Sequence, residues 1–375
     1  MIFRIDVIQD ACKTILAAVD SNELSAVTET LEMTTKDNFL YINVTNREYF
    51  AQVKVELTEA CEFHATVNAM LFLKLISQLT TDTVELNITD NFLIVKANGT
   101  YKLPLIFDGE KLLELPTIEI NNVTNEFSID SNVLKSILMY NSKELLKGSI
   151  SRPVQKLYYV DNQGAITFTN GACVNSFTLA QPVKLLFNNR LVKLFKLFDS
   201  GSVAFTVGFD AISDDIIQTK VRFETKNIVL TAILSCDDAL LTSVPVAAIR
   251  GRANNEYAYS VNLNKDLLLQ TINRLLLFSS TGASKTTLKP YSTFEFHKDS
   301  VVIYDVNKDN KETLSYNNTL LNCDEPYTAI LDLVELKITL ENCTEQYINL
   351  NFGDHSAFVL SRGNVRNVIP ECVLN

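Results

Sequence analysis

Glycine and proline are scarce in this chain of 375 residues, eleven and eight in all, and neither gathers into a low-complexity stretch. The glycines Gly99, Gly148, Gly164 and Gly171 stand alone as turn residues, so no glycine-rich loop is present to cradle a phosphate. Only three histidines occur (His64, His297, His355); they lie far apart and outside any metal-ligand motif. A G-x-S-x-G nucleophile elbow is missing. The acid pairs Asp214-Asp215 and Asp237-Asp238 are adjacent, so on a strand they would face opposite ways. They read as solvated loop acids. These absences leave no catalytic constellation, and neither enzyme activity nor a metal or cofactor is expected.

The seven cysteines (Cys12, Cys61, Cys173, Cys236, Cys323, Cys343, Cys372) are odd in number and scattered singly, which implies reduced thiols in a cytoplasmic setting. The start, Met1-Ile2-Phe3-Arg4-Ile5-Asp6, has neither the basic residues nor the apolar run of a signal peptide. No stretch approaches the roughly 20 apolar residues that span a bilayer. Triplets such as Asn43-Val44-Thr45 and Asn98-Gly99-Thr100 are then chance products of an asparagine-rich composition. The formal net charge of −11 excludes a uniformly basic nucleic-acid binder, but not positive charge confined to one surface.

What is present is repetition. An aromatic, any residue, a β-branched residue and then Asp or Asn occur as Phe3-Arg4-Ile5-Asp6, Phe127-Ser128-Ile129-Asp130 and Tyr259-Ser260-Val261-Asn262, at intervals of 124 and 132 residues. Each copy reads as a strand ending in a helix N-cap, which places caps at Asp6, Asp130 and Asn262. The interval is domain-sized and too long for a solenoid repeat.

A second phrase follows each opening. It runs from His64-Ala65-Thr66-Val67 through a helix at Asn68 to Leu79. It recurs from Val183 to Phe187 through a helix at Asn188 to Phe198, and from Tyr327 to Ile330 through a helix at Asp332 to Leu340. Strands follow each of these helices. The pattern predicts three domains, 1–121, 122–250 and 251–375, each of two helix-plus-sheet halves, hence six helices per chain. Linkers are expected from Leu112 to Asn125 and from Pro245 to Glu256.

Period-2 segments such as Leu40 to Val44, Gln52 to Leu57, Ala165 to Thr169 and Val301 to Tyr304 make strands the majority element. Helices in the minority beside antiparallel strands imply an α+β fold with helices packed on one face of sheets. Charge is sorted onto some of those helices. From Asn188 to Phe198 the charged residues are Arg190, Lys193 and Lys196, spaced by three and opposite Leu191, Leu194, Phe195 and Phe198. The helix at Asn68 carries only Lys74. The helix from Ser131 and its following loop carry Lys135, Lys143, Glu144, Lys147 and Arg152. Such rows suit sequence-blind phosphate contact. The last helix, with Asp332, Glu335, Lys337 and Glu341, is net negative and breaks the pattern.

Three tandem two-part domains, an acidic total and basic helices resemble the bacterial sliding clamp, the β subunit of DNA polymerase III. The resemblance spans nearly the whole chain. Its local phrases are Val67-Asn68-Ala69-Met70-Leu71-Phe72, Thr167-Phe168-Thr169-Asn170-Gly171, Leu194-Phe195-Lys196-Leu197-Phe198-Asp199, and the closing Asn367-Val368-Ile369-Pro370, which is similar to the family's Val-Met-Pro tail. A divergent, asparagine-rich clamp of this kind suggests a viral or mobile-element source.

The resemblance implies a head-to-tail homodimer whose helices line a ring around duplex DNA, with sheets outside and no membrane contact. Lys74, Lys135, Arg152, Arg190, Lys193, Lys196, Lys265 and Arg274 would then face DNA. DNA polymerase and the clamp loader would insert short peptides into a pocket at Val154, Thr169, Gly171, Ala172, Cys173, Val174, Thr242, Pro245, Val368, Ile369 and Pro370. Here the family pattern is broken: Ala172-Cys173-Val174 stands where His-Arg-Leu is usual, and Glu371 to Asn375 extend past the proline. The ring interface would use Tyr101 and Leu103 on one side and Leu277 and Phe278 on the other. Two alternatives stay open: a clamp-like scaffold that does not encircle DNA, and a β-rich viral structural protein whose repeat records duplication only.

Overall fold

A strand, a helix and three antiparallel strands recur six times along the described residues. The computed structural model describes residues 1–20, 27–141, 157–168, 171–213, 216–234, 238–279, 290–305, 307–317 and 325–372. The first module is β1 (Ile2–Arg4), α1 (Ile5–Leu16), β2 (Thr30–Lys36), β3 (Phe39–Thr45) and β4 (Tyr49–Glu56). The second is β5 (His64–Asn68), α2 (Ala69–Gln78), β6 (Thr83–Thr89), β7 (Phe92–Lys96) and β8 (Thr100–Pro104), and the short strands β9 (Phe107–Asp108) and β10 (Lys111–Leu112) follow it. The third is β11 (Asn122–Asp130), α3 (Ser131–Ser136) running into a π-helical turn at Ile137–Asn141, β12 (Leu157–Asp161), β13 (Gly164–Phe168) and β14 (Ala172–Ser176).

The fourth module is β15 (Lys184–Asn188), α4 (Asn189–Leu194) tightening into a 3-10 turn at Phe195–Leu197, β16 (Ser202–Ser213), β17 (Ile216–Glu224) and β18 (Ile228–Leu234). Two extra helices come next, α5 (Asp238–Thr242) and α6 (Val246–Ala253). The fifth module is β19 (Tyr259–Asn264), α7 (Lys265–Ser279), β20 (Tyr291–Phe296), β21 (Ser300–Tyr304) and β22 (Lys311–Ser315). The sixth is β23 (Tyr327–Asp332), α8 (Leu333–Glu341), β24 (Tyr347–Phe352), β25 (Ala357–Arg362) and β26 (Val365–Pro370). The fold is α+β with antiparallel sheets.

The chain forms two compact units, residues 1–135 with 190–236 and residues 136–189 with 237–375. The first unit holds a four-stranded sheet, β1-β6-β7-β8, and an eight-stranded sheet, β11-β16-β17-β18-β4-β3-β2-β5. The second holds a four-stranded sheet, β22-β21-β20-β23, and an eight-stranded sheet, β15-β12-β13-β14-β26-β25-β24-β19. The opening strand of a module thus joins the sheet of another module, not its own. Swapped first strands explain why one phrase marks the starts of the first, third and fifth modules: the strand must bury aromatic or β-branched residues such as Phe3, Ile129 and Val261 in a neighbour's core.

In the second unit, Leu268, Ile272 and Leu275 of α7 and Leu336 and Leu340 of α8 share one buried cluster with Phe296, Phe352 and Phe358. The rings of Phe296 and Phe352 lie 4.3 Å apart. In the first unit Phe205 stacks on Phe223 at 4.7 Å, and Phe195 meets Phe223 edge-on. No helix among the described residues is long and apolar enough to cross a membrane.

The expected caps need correction. Asp130 accepts from the Asn132 amide and caps α3. Asp6 lies inside the first turn of α1, where it pairs with Arg4 and favours the positive helix end. Asn262 remains in β19, because that strand runs two residues further; Asn264 caps α7 by accepting from Leu267. Asn68 and Asp332 cap α2 and α8. The expected linker at Pro245 to Glu256 contains α6, with Pro245 at its N-terminus. A proline just ahead of a helix pre-sets its first turn and does not break it.

Candidate nucleic-acid interface and partner surfaces

Three of the expected DNA-facing cations stand on one short helix. Arg190, Lys193 and Lys196 are exposed on α4 and its 3-10 extension, while Leu191, Val192, Leu194 and Phe195 are buried beneath them. In a 3-10 turn residues three apart eclipse, so the tightening brings Lys196 into line with Lys193. Arg190 reaches Glu48 at 3.5 Å, an exposed pair of little energetic weight.

Lys74 is exposed on α2 beside Lys13 of α1. Both border a cleft of about 340 Å³ between these helices, with Gln9, Cys12, Leu16, Met70, Leu73 and Ser77. Lys13 was not among the expected cations, because Asp6 and Asp10 share its helix; only the packing of α1 on α2 sets it by Lys74. Lys135 is half-buried and donates to the Asp199 carbonyl. Arg152 lies outside the described residues.

The second unit treats its helix cations differently. Arg274 grips Glu312, Nε to Oε1 at 2.7 Å and Nη2 to Oε2 at 2.5 Å. The hydrogen bond from Arg274 outweighs burial and holds the Glu312 carboxyl below the usual range. Lys265 is only 16% exposed, pairing with Asp266 at 2.8 Å, and it reaches the Cys343 carbonyl. On α8, Lys337 lies 3.8 Å from Glu341. These cations are neutralised within the chain.

The pleat divides the proposed peptide pocket between two faces. Ala172 pairs with Val368 and Val174 with Arg366, so these residues share one face of the eight-stranded sheet. Val359 and Ser361 pair with the same residues and share that face, where the end of α6 lies. Cys173 and Ile369 point the other way. Ile369 belongs to the cluster under α7 and α8. Cys173 is fully buried by the π-turn, with its carbonyl accepting from Asn141.

On the α6 face Ala172, Val174 and Val368 are 7%, 2% and 8% exposed, so they form a covered floor. Thr242, Pro245 and Pro370 are exposed, and Gly171 is half-buried. A Cβ on Gly171 would lie 2.1 Å from the Val368 carbonyl oxygen, which is why glycine stands where β14 meets β26. Val154 and Thr169 lie outside the described residues. An open polar cavity of about 540 Å³ adjoins this face, lined by residues 253–257 with Asn351, Val359, Ser361 and Arg366. Sequence reasoning missed it because residues 253–256 read as linker. Glu371 and Cys372, just past Pro370, are tied down: Tyr327 donates to Glu371 at 3.1 Å, and the Cys372 amide donates to Ile330 at 2.8 Å.

Of the proposed dimer residues, Tyr101 is 37% exposed, whereas Leu103 is 2% exposed and belongs to the core of its own sheet. Leu277 and Phe278, at the end of α7, are 66% and 44% exposed. Tyr101 and Leu103 lie on β8, the outer strand of its four-stranded sheet. The strand β22, outermost in the other four-stranded sheet, was not anticipated.

No protein-family model and no curated protein matches the sequence. Solved structures do match in fold. The DNA polymerase sliding clamp of Bacillus subtilis is 14% identical, with a TM-score of 0.75 over 100% of this chain and 99% of that one. The DNA polymerase III β subunit of Thermotoga maritima is 12% identical, with a TM-score of 0.76 over 100% and 99%. A Pseudomonas aeruginosa sliding clamp bound to griselimycin gives 12% and 0.76 over the same shares. The fold is that of the bacterial sliding clamp.

Proposed function

We propose that the chain is a sliding clamp: two copies join head to tail into a ring around duplex DNA and tether a polymerase to it. The single observation that carries this reading is the joint presence of the clamp fold along the whole chain and of acid-free, cation-bearing helices in α2 and α4. The three domains would be 1–121, 122–250 and 251–375, with six helices of each copy toward the lumen.

Retention by topology needs no tight phosphate grip. Lys74, Lys193 and Lys196, helped by Lys13, Lys135, Arg152 and Arg190, would give weak, salt-sensitive contact, while the acidic remainder repels DNA from the outside. Short peptides of the polymerase and of a clamp loader would bind on the α6 face, at Gly171, Ala172, Val174, Thr242, Pro245, Val368 and Pro370 with Val154 and Thr169. Tethering raises the polymerase's effective concentration at the template, and no catalytic step is involved. A cytoplasmic site of action accords with this role.

One observation favours a second reading. Neutralisation of Lys265 and Arg274 by Asp266 and Glu312 suits a clamp-like scaffold that does not encircle DNA. One experiment separates the two. The protein is equilibrated with circular duplex DNA, freed of weakly bound protein at raised salt, and the circles are then cut once. A clamp stays on circles and leaves after the cut. Equal retention on cut and uncut DNA, or none on either, contradicts encirclement.

A further inference from the structure

Two helices of the first unit turn the same pattern toward one another. On α1 the residues Gln9, Cys12, Lys13 and Leu16 border the cleft of about 340 Å³, and on α2 Met70, Leu73, Lys74 and Ser77 do so. Both sets follow the spacing i, i+3, i+4, i+7, which is one stripe of a helix. The Gln9 side-chain amide donates to the Ile76 and Leu79 carbonyls at 2.9 Å, so α1 starts beside the end of α2 and the helices run antiparallel. Each stripe then carries its lysine near mid-length.

The wall between the lysines is apolar. Cys12 and Leu73 are buried, Met70 is half-buried, and Leu16 stays 44% exposed. Burial pushes the Cys12 thiol up to about 12, so it stays uncharged. The uncharged polar donors of the wall are already used: those of Gln9 as above, and Ser77 Oγ, which donates to the Lys74 carbonyl at 2.8 Å. The two ammonium groups are left unmet. Among the described residues neither Lys13 nor Lys74 pairs with an acid. The acids of α1 look elsewhere: Asp6 pairs with Arg4, and Asp10 borders a separate cleft with Val7 and Thr14. The helix α2 has no acid.

We propose that this cleft binds a free fatty-acid anion, with its alkyl chain along Cys12, Leu16, Met70 and Leu73 and its carboxylate between Lys13 and Lys74. The inference goes beyond the clamp reading and does not depend on it; under that reading an occupied cleft withholds both lysines from DNA.

Other ligand classes leave part of the cleft unsatisfied. Inorganic phosphate or a nucleic-acid backbone would meet the lysines and leave the apolar wall wet. A neutral hydrocarbon would cover the wall and leave two like charges facing one slot. A cationic amphiphile would add a third. A carboxylate between the lysines offsets their repulsion. The volume lies at the lower end of the range for small-molecule sites, which combine an apolar lining with a few placed polar groups. That size suits one alkyl chain and not a lipid with two.

The test is calorimetric titration of the full chain with decanoate below its micelle concentration, beside decanol and decyltrimethylammonium, which share its chain length. Decanoate is expected to saturate at one molecule per chain and to bind about tenfold tighter than decanol, since two exposed ion pairs supply up to about that factor. The cation is expected to bind more weakly than either. Lys13→Glu with Lys74→Glu should abolish the preference for decanoate and leave decanol binding unchanged, a result that damage to the fold would not give. As a second variant, Met70→Trp fills the slot and should weaken decanoate and decanol alike. Location is read from methyl-labelled methionine. The chain has four methionines, and the Met70 signal should move with decanoate while those of Met33 and Met139 stay. Uptake that does not saturate at one per chain, equal affinity for the three amphiphiles, a decanoate preference that survives the lysine reversal, or shifts at Met33 or Met139 in place of Met70 each overturns the proposal.

Discussion

Arg250 holds both carboxylate oxygens of Asp161, at 2.6 and 2.7 Å, and so ties α6 to the end of β12 in the second unit. The side chains are 15% and 9% exposed. Burial pushes the Asp161 carboxyl up, but the bonds from Arg250 and the Gln163 amide outweigh it and hold the group below the usual range. A folded-state pKa below the unfolded one contributes stability above the unfolded value and loses it as pH falls through the folded value. Asp161→Asn is therefore expected to cost about 3 kcal/mol at neutral pH, since it leaves Arg250 covered without its counter-charge. That deficit should shrink below about pH 4. Denaturant melts at both pH values check this; an equal deficit contradicts it.

Reversal of Arg190, Lys193 and Lys196 to Glu is expected to reduce loading on DNA while leaving fold and dimer mass unchanged. The salt slope of DNA association should fall by about two to three, near one per lost phosphate contact. Arg190→Glu alone should matter least, because Arg190 already reaches Glu48. Unchanged DNA association by the triple variant removes α4 from the lumen.

Gly171→Ala is expected to pry apart the start of the β14–β26 seam, because the new methyl meets the Val368 backbone oxygen and not a side chain that can turn aside. Overpacking of this kind costs about 1–3 kcal/mol. Hydrogen exchange should quicken at residues 365–368 before the rest of the second unit. Exchange that is unchanged there contradicts the close approach.

Local patterns carried well from sequence to structure. Phe127-Ser128-Ile129-Asp130 is a strand running into a cap, and Asn68 and Asp332 open helices as their positions imply. Long-range pairing was not legible. Nothing local says that Arg274 meets Glu312, that Lys13 stands by Lys74, or that Cys173 and Ile369 turn from the face that holds Val174 and Val368. Those facts depend on strand order and register, which distant segments set. The helix α6 escaped notice because Pro245 and Gly251 read as linker signals. The segment Lys311-Glu312-Thr313-Leu314-Ser315 has too little apolar character to stand out, as befits a strand with one open edge.

The claim on which the rest depends is that two copies close a ring, and solution mass by light scattering tests it most directly. The wild type is compared with Leu277→Asp combined with Phe278→Asp, which sets two charges on the exposed end of α7. A wild-type mass near twice 42.1 kDa that falls to a single chain in the variant is the expected result. A wild type that stays at 42.1 kDa at micromolar concentration, or a variant that remains dimeric, contradicts the ring or its seam.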